Sequence, residues 1–404
     1  MERRFIIGRH RAWPGYVAAA PGIILVVLVG LALFSIQPAV GEGTVTQASK
    51  DRSSAEGRPA AAPIKTKVES LSPIPDWASL ILAAPWAGTK SPDGFPSNEL
   101  YAADDGGTKA VQITHHAKLY NHFAVSPDRQ KIAAVRYAGD SNRDGRIDFR
   151  DRKTIWIMDL ANKEEWPLVP EVDAGWGGVD WFPDSRTVCF SMLKEGKIDV
   201  HSIHIDGTGL TNLTEGVELK LGAKQPGKWV SDVGVSPDGL WIAFLYAPWT
   251  GPGPFDFLKK NVIAIMRVDR SEARIVTDGG PLAPGQHGPW AAGDFDPEFS
   301  PDGQWLCFQR ATDTATNWGG IASHDIMVER VDGTGLKRLS PAGNTGVHGI
   351  SDWSEDGRIV FSEWNQKDNY VGPVMVFPDG TGYHRLSGLK FGGSHVRWIP
   401  PAKK

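Results

Sequence analysis

The sequence predicts an all-β fold, a six-bladed β-propeller of four-stranded antiparallel blades, preceded by one N-terminal transmembrane helix. Three observations predict it. A strand–turn–strand pattern recurs at a nearly constant step, a second hairpin follows each copy, and one long uncharged stretch precedes them all. The 46 Gly and 29 Pro among 404 residues supply turns for many short strands rather than for a helical bundle.

The recurring segments are FAVSPDRQKIAAVR, VDWFPDSRTVCFSM, VGVSPDGLWIAFLY, PEFSPDGQWLCFQR and SDWSEDGRIVFSEW. In each, a short strand ends on an aromatic residue or Val, a tight turn follows, and a second strand carries an apolar run. Proline presets φ for the turn, Asp bonds back to the backbone, and Gly accepts positive φ. Anchored on Pro127, Pro183, Pro237, Pro301 and Glu355, the steps are 56, 54, 64 and 54 residues. The second hairpins, such as DVHSIHIDGTGLTNLT and DIMVERVDGTGLKRLS, alternate as half-buried strands do, and three turn on Asp-Gly-Thr-Gly. Four strands per unit, repeated radially, make propeller blades. HVRWIP near the end reads as another first strand, whose partners SLILAAPW and ELYAADDGGTKAVQIT stand near the start. One blade shared between the two ends closes the ring and removes its edges.

Ahead of the repeats the chain opens MERRFIIGRHR and then carries no charged residue from Ala12 to Gly41. Tyr16 to Ile36 is long enough to cross the hydrocarbon core, which takes about 20 apolar residues. The arginines before it place residues 1–14 in the cytoplasm, with 15–37 as the helix, 38–75 as a flexible linker and 76–404 as the propeller. The propeller then faces the periplasm or the exterior from the inner membrane. A cleaved signal ending near Ala39 and Gly41, with a secreted product, is the rival; the apolar stretch exceeds a signal's usual core. Residues 1–72 hold 9 Lys+Arg against 5 Asp+Glu; subtraction from 43 and 47 leaves 34 against 42, a net of -8 beyond them. That acidic balance argues against nucleic acid, whose phosphates need a basic face.

The repeats resemble the TolB-like propellers of bacteria, also described as WD-like repeats, over residues 76–404. The resemblance implies a protein or carbohydrate surface at one mouth of the ring. It carries no particular function, because function lives in sites grafted onto folds.

Two constellations carry chemistry. DSNRDGRIDFRD, Asp140 to Asp151, matches an EF-hand calcium loop. Asp140, Asn142 and Asp144 supply oxygens at positions 1, 3 and 5, Gly145 the bend, Arg146 a carbonyl, and Asp148 and Asp151 the ninth and twelfth places. Strands rather than helices flank it, so the expected Ca²⁺ is structural and would order a hairpin. The second constellation comes from aligning the first strands three residues before their last position. His122, Gly178, Asp232, Asp296, Ile350 and His395 then form a ring facing the channel, with Asp294 and His348 two residues before ring positions. Trp176 and Trp290 stand in Gly-rich loops beside that mouth and are able to stack on a sugar or anchor a peptide. Such a ring suits a non-catalytic binding module for protein or carbohydrate. The alternative is a metal-dependent polysaccharide-acting enzyme, because oligogalacturonate lyases, similar propellers, hold a metal on histidines placed here. Gly234-Val235-Ser236-Pro237-Asp238 lacks the final Gly of a nucleophile elbow. Cys189 and Cys307 occupy the same place in separate blades and read as buried free thiols.

Overall fold

The computed structural model describes residues 62–84, 98–115, 120–137, 139–143, 145, 147, 151–169, 173–221, 229–247, 261–281, 293–311, 324–341, 347–365, 367–368, 370–389 and 395–401. The N-terminal basic segment, the expected transmembrane helix and the linker up to residue 61 lie outside these. Among the described residues no helix is long and apolar enough to cross a membrane.

The chain folds as an all-β propeller of antiparallel four-stranded meanders. The innermost strands are Tyr120–Val125, Asp173–Trp181, Trp229–Val235, Asp294–Phe299, Val347–Trp353 and His395–Trp398. Each packs against the next, and the last packs against the first, so they close a cycle around a central channel. The described strands fall into five sheets, one of them eight-stranded. That sheet is two meanders joined through a single parallel pair, Ile198 with Trp229. His395–Trp398 pairs antiparallel with Leu80–Ala84, Arg397 opposite Ile81, which ties the two ends of the chain into one sheet.

The turns repeat their chemistry as well as their spacing. Ser126, Ser236 and Ser300 each donate a hydroxyl hydrogen bond to the Asp two residues on, at 2.5–2.6 Å. Each hydroxyl also accepts from the backbone N–H five residues on, at 2.9 Å. In the Asp-Gly-Thr-Gly hairpins, Asp206, Asp332 and Asp379 take both the N–H and the hydroxyl of the following Thr. The core lies between meanders. Phe190, Phe244, Phe308 and Phe361 occupy one equivalent position of the second strands and are fully buried. Truncating any of them to Ala costs about 3–5 kcal/mol. Cys189 and Cys307 are buried free thiols beside them.

One boundary moves. Residues 62–75, expected as the end of a flexible linker, already belong to the fold. Thr66–Lys67 pairs with Glu164 and Glu165 on the outermost strand of the first meander. Lys65 and Lys67 both reach the Glu164 carboxylate. Leu71 is buried, and Val68 and Ile74 pack beside it on the same core. Apolar residues at every third position match neither strand nor helix periodicity, which is why the segment reads as a spacer.

Candidate functional site at the channel mouth

The ring positions coincide with interruptions in strand pairing. Register slips between Tyr120 and Phe123, Ser231 and Gly234, Phe295 and Glu298, and Gly349 and Ser351. Opposite Asp173–Trp181 it slips between Phe190 and Met192. A β-bulge leaves a residue unpaired and re-aims its side chain. His122, Asp232 and Asp296 stand among those residues. Asp232 and Asp296 hold φ of 51° and 49°, a left-handed conformation that Asp tolerates better than most residues. Gly-Trp-Gly-Gly, expected as a loop, lies within the strand Asp173–Trp181, where Gly175, Gly177 and Gly178 supply the positive φ of the bulge. A Cβ on Gly177 would collide with Asp232 Oδ1, so glycine there makes room for the carboxylate.

The bulges of three inner strands and the start of His395–Trp398 bring four of the expected residues into one arc. The His122 and His395 rings meet edge to face, their centroids 5.2 Å apart. A Cβ at Gly178 would lie 3.9 Å from His122 Nδ1. Gly177 touches Asp232, whose Oδ1 accepts from Ser231 Oγ at 3.1 Å. Asp296 adjoins Asp232 and accepts from Gln309 Nε2. Burial pushes the His122 imidazole well below its ordinary pKa, and the neighbouring His395, Arg397 and Lys153 add to that. Burial and Arg397 lower His395 to about 4. Both rings are therefore neutral at pH 7. Burial and repulsion from Asp296 push Asp232 well above the usual carboxylate range, and burial raises Asp296 to about 6.

The other expected residues are placed elsewhere. Asp294 is fully buried and engaged by Arg310 on the adjacent strand, with Nε–Oδ1 at 2.7 Å and Nη2–Oδ2 at 2.9 Å. It also accepts from Gly279 N at 3.1 Å. Asp294 thus holds two meanders together rather than facing the arc. His348 pairs with Glu363 through its backbone, and its side chain lies outside the described residues, as does that of Trp176. Trp290 lies outside them entirely. Trp229 begins an inner strand and buries its ring, with Nε1 donating to Ser231 Oγ at 2.8 Å. Among the described residues no three His, Cys, Asp or Glu side chains stand at metal-ligand distance.

In the acidic loop, Asp140 Oδ2 accepts from Gly145 N at 2.8 Å. Asp151 is fully buried, and its Oδ1 accepts from Ser141 N at 2.7 Å, Ser141 Oγ at 3.1 Å and Asn142 N at 3.2 Å. The loop thus curls around its own two end carboxylates, and Gly145 at φ 83° provides the bend. Asp144, Arg146 and Asp148 lie outside the described residues.

A second charged ring was not anticipated. One residue before the end of each inner strand stand Ala124, Asp180, Gly234, Glu298, Asp352 and Arg397. Asp180 accepts from Trp181 N and, across to the next meander, from Val235 N at 2.8 Å. Asp352 repeats this with Trp353 N and Trp398 N at 2.7 Å. Arg397 pairs with Glu298 and reaches within 3.9 Å of Asp352. The same strand alignment, moved two residues along, would have found this ring: a charge inside a short apolar strand is its signal.

No family model matches the chain. It is 22% identical over 259 residues to an uncharacterized protein of Agrobacterium fabrum, covering 64% of this chain and 74% of that protein. The crystal structure of TolB from Acinetobacter baumannii aligns with a TM-score of 0.53 at 13% identity, covering 80% of this chain and 67% of that one. A nidogen/laminin complex structure aligns with a TM-score of 0.50 at 11% identity, covering 80% and 98%. An oligogalacturonate lyase in complex with manganese reaches only 0.42 at 10% identity, too slight a likeness to carry an argument. At these identities the comparisons show the fold, and that fold is a β-propeller.

Proposed function

We propose that the chain is a non-catalytic binding or scaffold propeller, displayed outside the cytoplasm on a single N-terminal membrane helix, that engages a protein or carbohydrate at its bulged channel mouth. The observation that carries this reading is the arc His395–His122–Asp232–Asp296. Four polar side chains from four repeats converge on one opening, each aimed from a strand rather than a mobile loop. Groups fixed on rigid elements are preorganised for a ligand. Protein is the first partner class to test, since one structure with this fold was solved as a nidogen/laminin complex. Six blades complete the reading: the eight-stranded sheet counts as two blades because one parallel pair alone joins its halves. Ca²⁺ in the loop from Asp140 to Asp151 would order the hairpin on the first blade.

The neighbouring neutral imidazoles of His122 and His395 favour the second reading, a metal-dependent polysaccharide-acting enzyme. Two measurements separate them. A photo-crosslinking residue at position 296 should capture a protein or glycan partner that one at Lys337, on an outer strand, does not. Metal analysis of purified protein should find calcium near one per chain without stoichiometric manganese, iron or zinc. Bound manganese lost in His348→Ala, with cleavage of a polyuronate, would replace the first reading by the second. For the anchor, protease added to spheroplasts should digest the propeller of a membrane-fractionating protein. A soluble product beginning near Glu42 would identify a cleaved signal instead.

A further inference from the structure

At the end of the channel where the Pro-Asp turns lie, away from the bulges, there is a cavity of about 300 Å³. Successive positions of the inner strands build it. Strand-ending residues form an apolar collar of Val125, Trp181, Val235, Phe299, Trp353 and Trp398. One step deeper, Asp180, Glu298 and Asp352 share the floor with Arg397. Ala124 and Gly234 complete that layer without charge, so three carboxyl groups share one guanidinium. Arg397 is the one cationic side chain among the described lining residues. Burial, and repulsion among the three carboxyl groups, push Glu298 well above its ordinary pKa and Asp352 to about 6, against the lowering effect of Arg397.

The collar has a deficit of its own. Trp181 Nε1 donates to the Ala124 carbonyl at 3.0 Å. The equivalent indole N–H groups of Trp353 and Trp398 are buried and have no hydrogen-bond partner among the described residues. Both residues are more than nine-tenths buried, at 9% and 7% exposure. The indole edges of the collar are thus less tightly held than at Trp181.

We propose that this cavity is a second binding site, which takes an arginine side chain carried on an extended segment of a partner protein. The guanidinium would meet the floor carboxylates, whose oxygens keep acceptor capacity beyond their backbone N–H bonds. Its planar head and aliphatic stem would lie against the Trp collar. Arginine fits better than lysine because it stacks on aromatic faces, is less strongly hydrated and forks onto carboxylates. A bare metal ion would leave the collar unused, and a neutral sugar would leave the charge unmet. The cavity sits at the lower limit of ligand pockets, roughly 300–1,000 Å³, and so suits one side chain with its flanking backbone.

The test titrates the intact protein with N-acetyl-arginine methylamide and with its citrulline counterpart, a neutral isostere, by calorimetry. The arginine probe should bind at least about tenfold tighter, equivalent to ~1.4 kcal/mol. Asp180→Asn, verified as folded by its melting curve, should weaken arginine binding by a similar factor and leave the citrulline probe unaffected. Should Asp180→Asn fail to fold, the two probes on the unaltered protein still decide. Equal binding of both probes, or no binding of arginine, overturns the proposal. Crosslinking at position 296 reports on the other mouth, so either reading can fail while the other stands.

Discussion

Replacing Arg397 by Met tests the electrostatics of the channel most directly. Arg397 and Glu298 are an ion pair whose side chains are 10% and 9% exposed, with Asp352 also in range. Breaking a buried pair by removing one partner costs about 3–5 kcal/mol, because the other charge stays desolvated. Three carboxylates depend on this cation here, so the upper part of that range is expected at pH 7.5. The cost must also depend on pH. Glu298 already has a folded pKa raised above its unfolded value of about 4.3, so its ionisation destabilises the fold as pH rises through the folded pKa. Removing Arg397 raises that pKa further. Lowering the pH then protonates Glu298 in the folded state and recovers up to about 1.4 kcal/mol per unit. Urea unfolding followed by tryptophan fluorescence at pH 7.5 and 5 measures both effects. The double variant Arg397→Met with Glu298→Gln should regain more than half of the loss at pH 7.5. A loss below about 1 kcal/mol, or one identical at both pH values, would refute the view that the channel centre is held by charge compensation.

Further outcomes are expected elsewhere. Asp232→Asn, which keeps a residue tolerant of positive φ, should stabilise the protein by roughly 1 kcal/mol at pH 7.5 by relieving repulsion with Asp296. Because Asp296 titrates in the folded state near 6, the gain should fade as pH falls below that value, seen as converging melting temperatures. Gly177→Ala should cost about 2–4 kcal/mol, since its Cβ collides with Asp232 and its φ is 92°. Arg129 donates to the carbonyls of Pro75, Ala78 and Pro400 at 3.1–3.3 Å, and Arg129→Ala should cost about 2–3 kcal/mol and increase proteolysis near residue 75. If the acidic loop binds calcium, a 100-fold excess over Kd stabilises by about 2.7 kcal/mol. Chelation should lower the melting temperature, and Asp144→Ala should remove most of that response.

The blade repeat was legible because its turns use residues with narrow conformational roles. Pro, Asp and Gly at fixed offsets mark where each inner strand ends, and counting back from that mark located His122, Asp232, Asp296 and His395. The same count could not tell that Asp294 faces Arg310, because a bulge between them and the strand end changes which face a residue presents. Nor could it separate Trp229 from true loop residues, since the Gly- and Lys-rich stretch before it offers no strand signal. The charged ring of Asp180, Glu298, Asp352 and Arg397 was present in the alignment. It escaped notice because its members look like ordinary polar alternation until the strands are closed into a cycle. The docking of residues 62–75 depends on three apolar side chains meeting a surface assembled from distant segments, which local pattern does not encode.

Closure through His395–Trp398 also sets an order of events. The strand that completes the ring comes from the far end of the chain, more than 300 residues after its partner Leu80–Ala84. Pairings of that sequence separation form slowly, because a long loop must close before any contact repays it. Until residue 397 arrives, the segments carrying Asp180, Glu298 and Asp352 have acids to bring together and no cation to join them. A ring that shuts early would trap those like charges in a dry channel. The late arrival of Arg397 thus makes the finished channel a checkpoint on folding: the earlier meanders can form in turn, but the circle gains its electrostatic reward only when the last strand is in place.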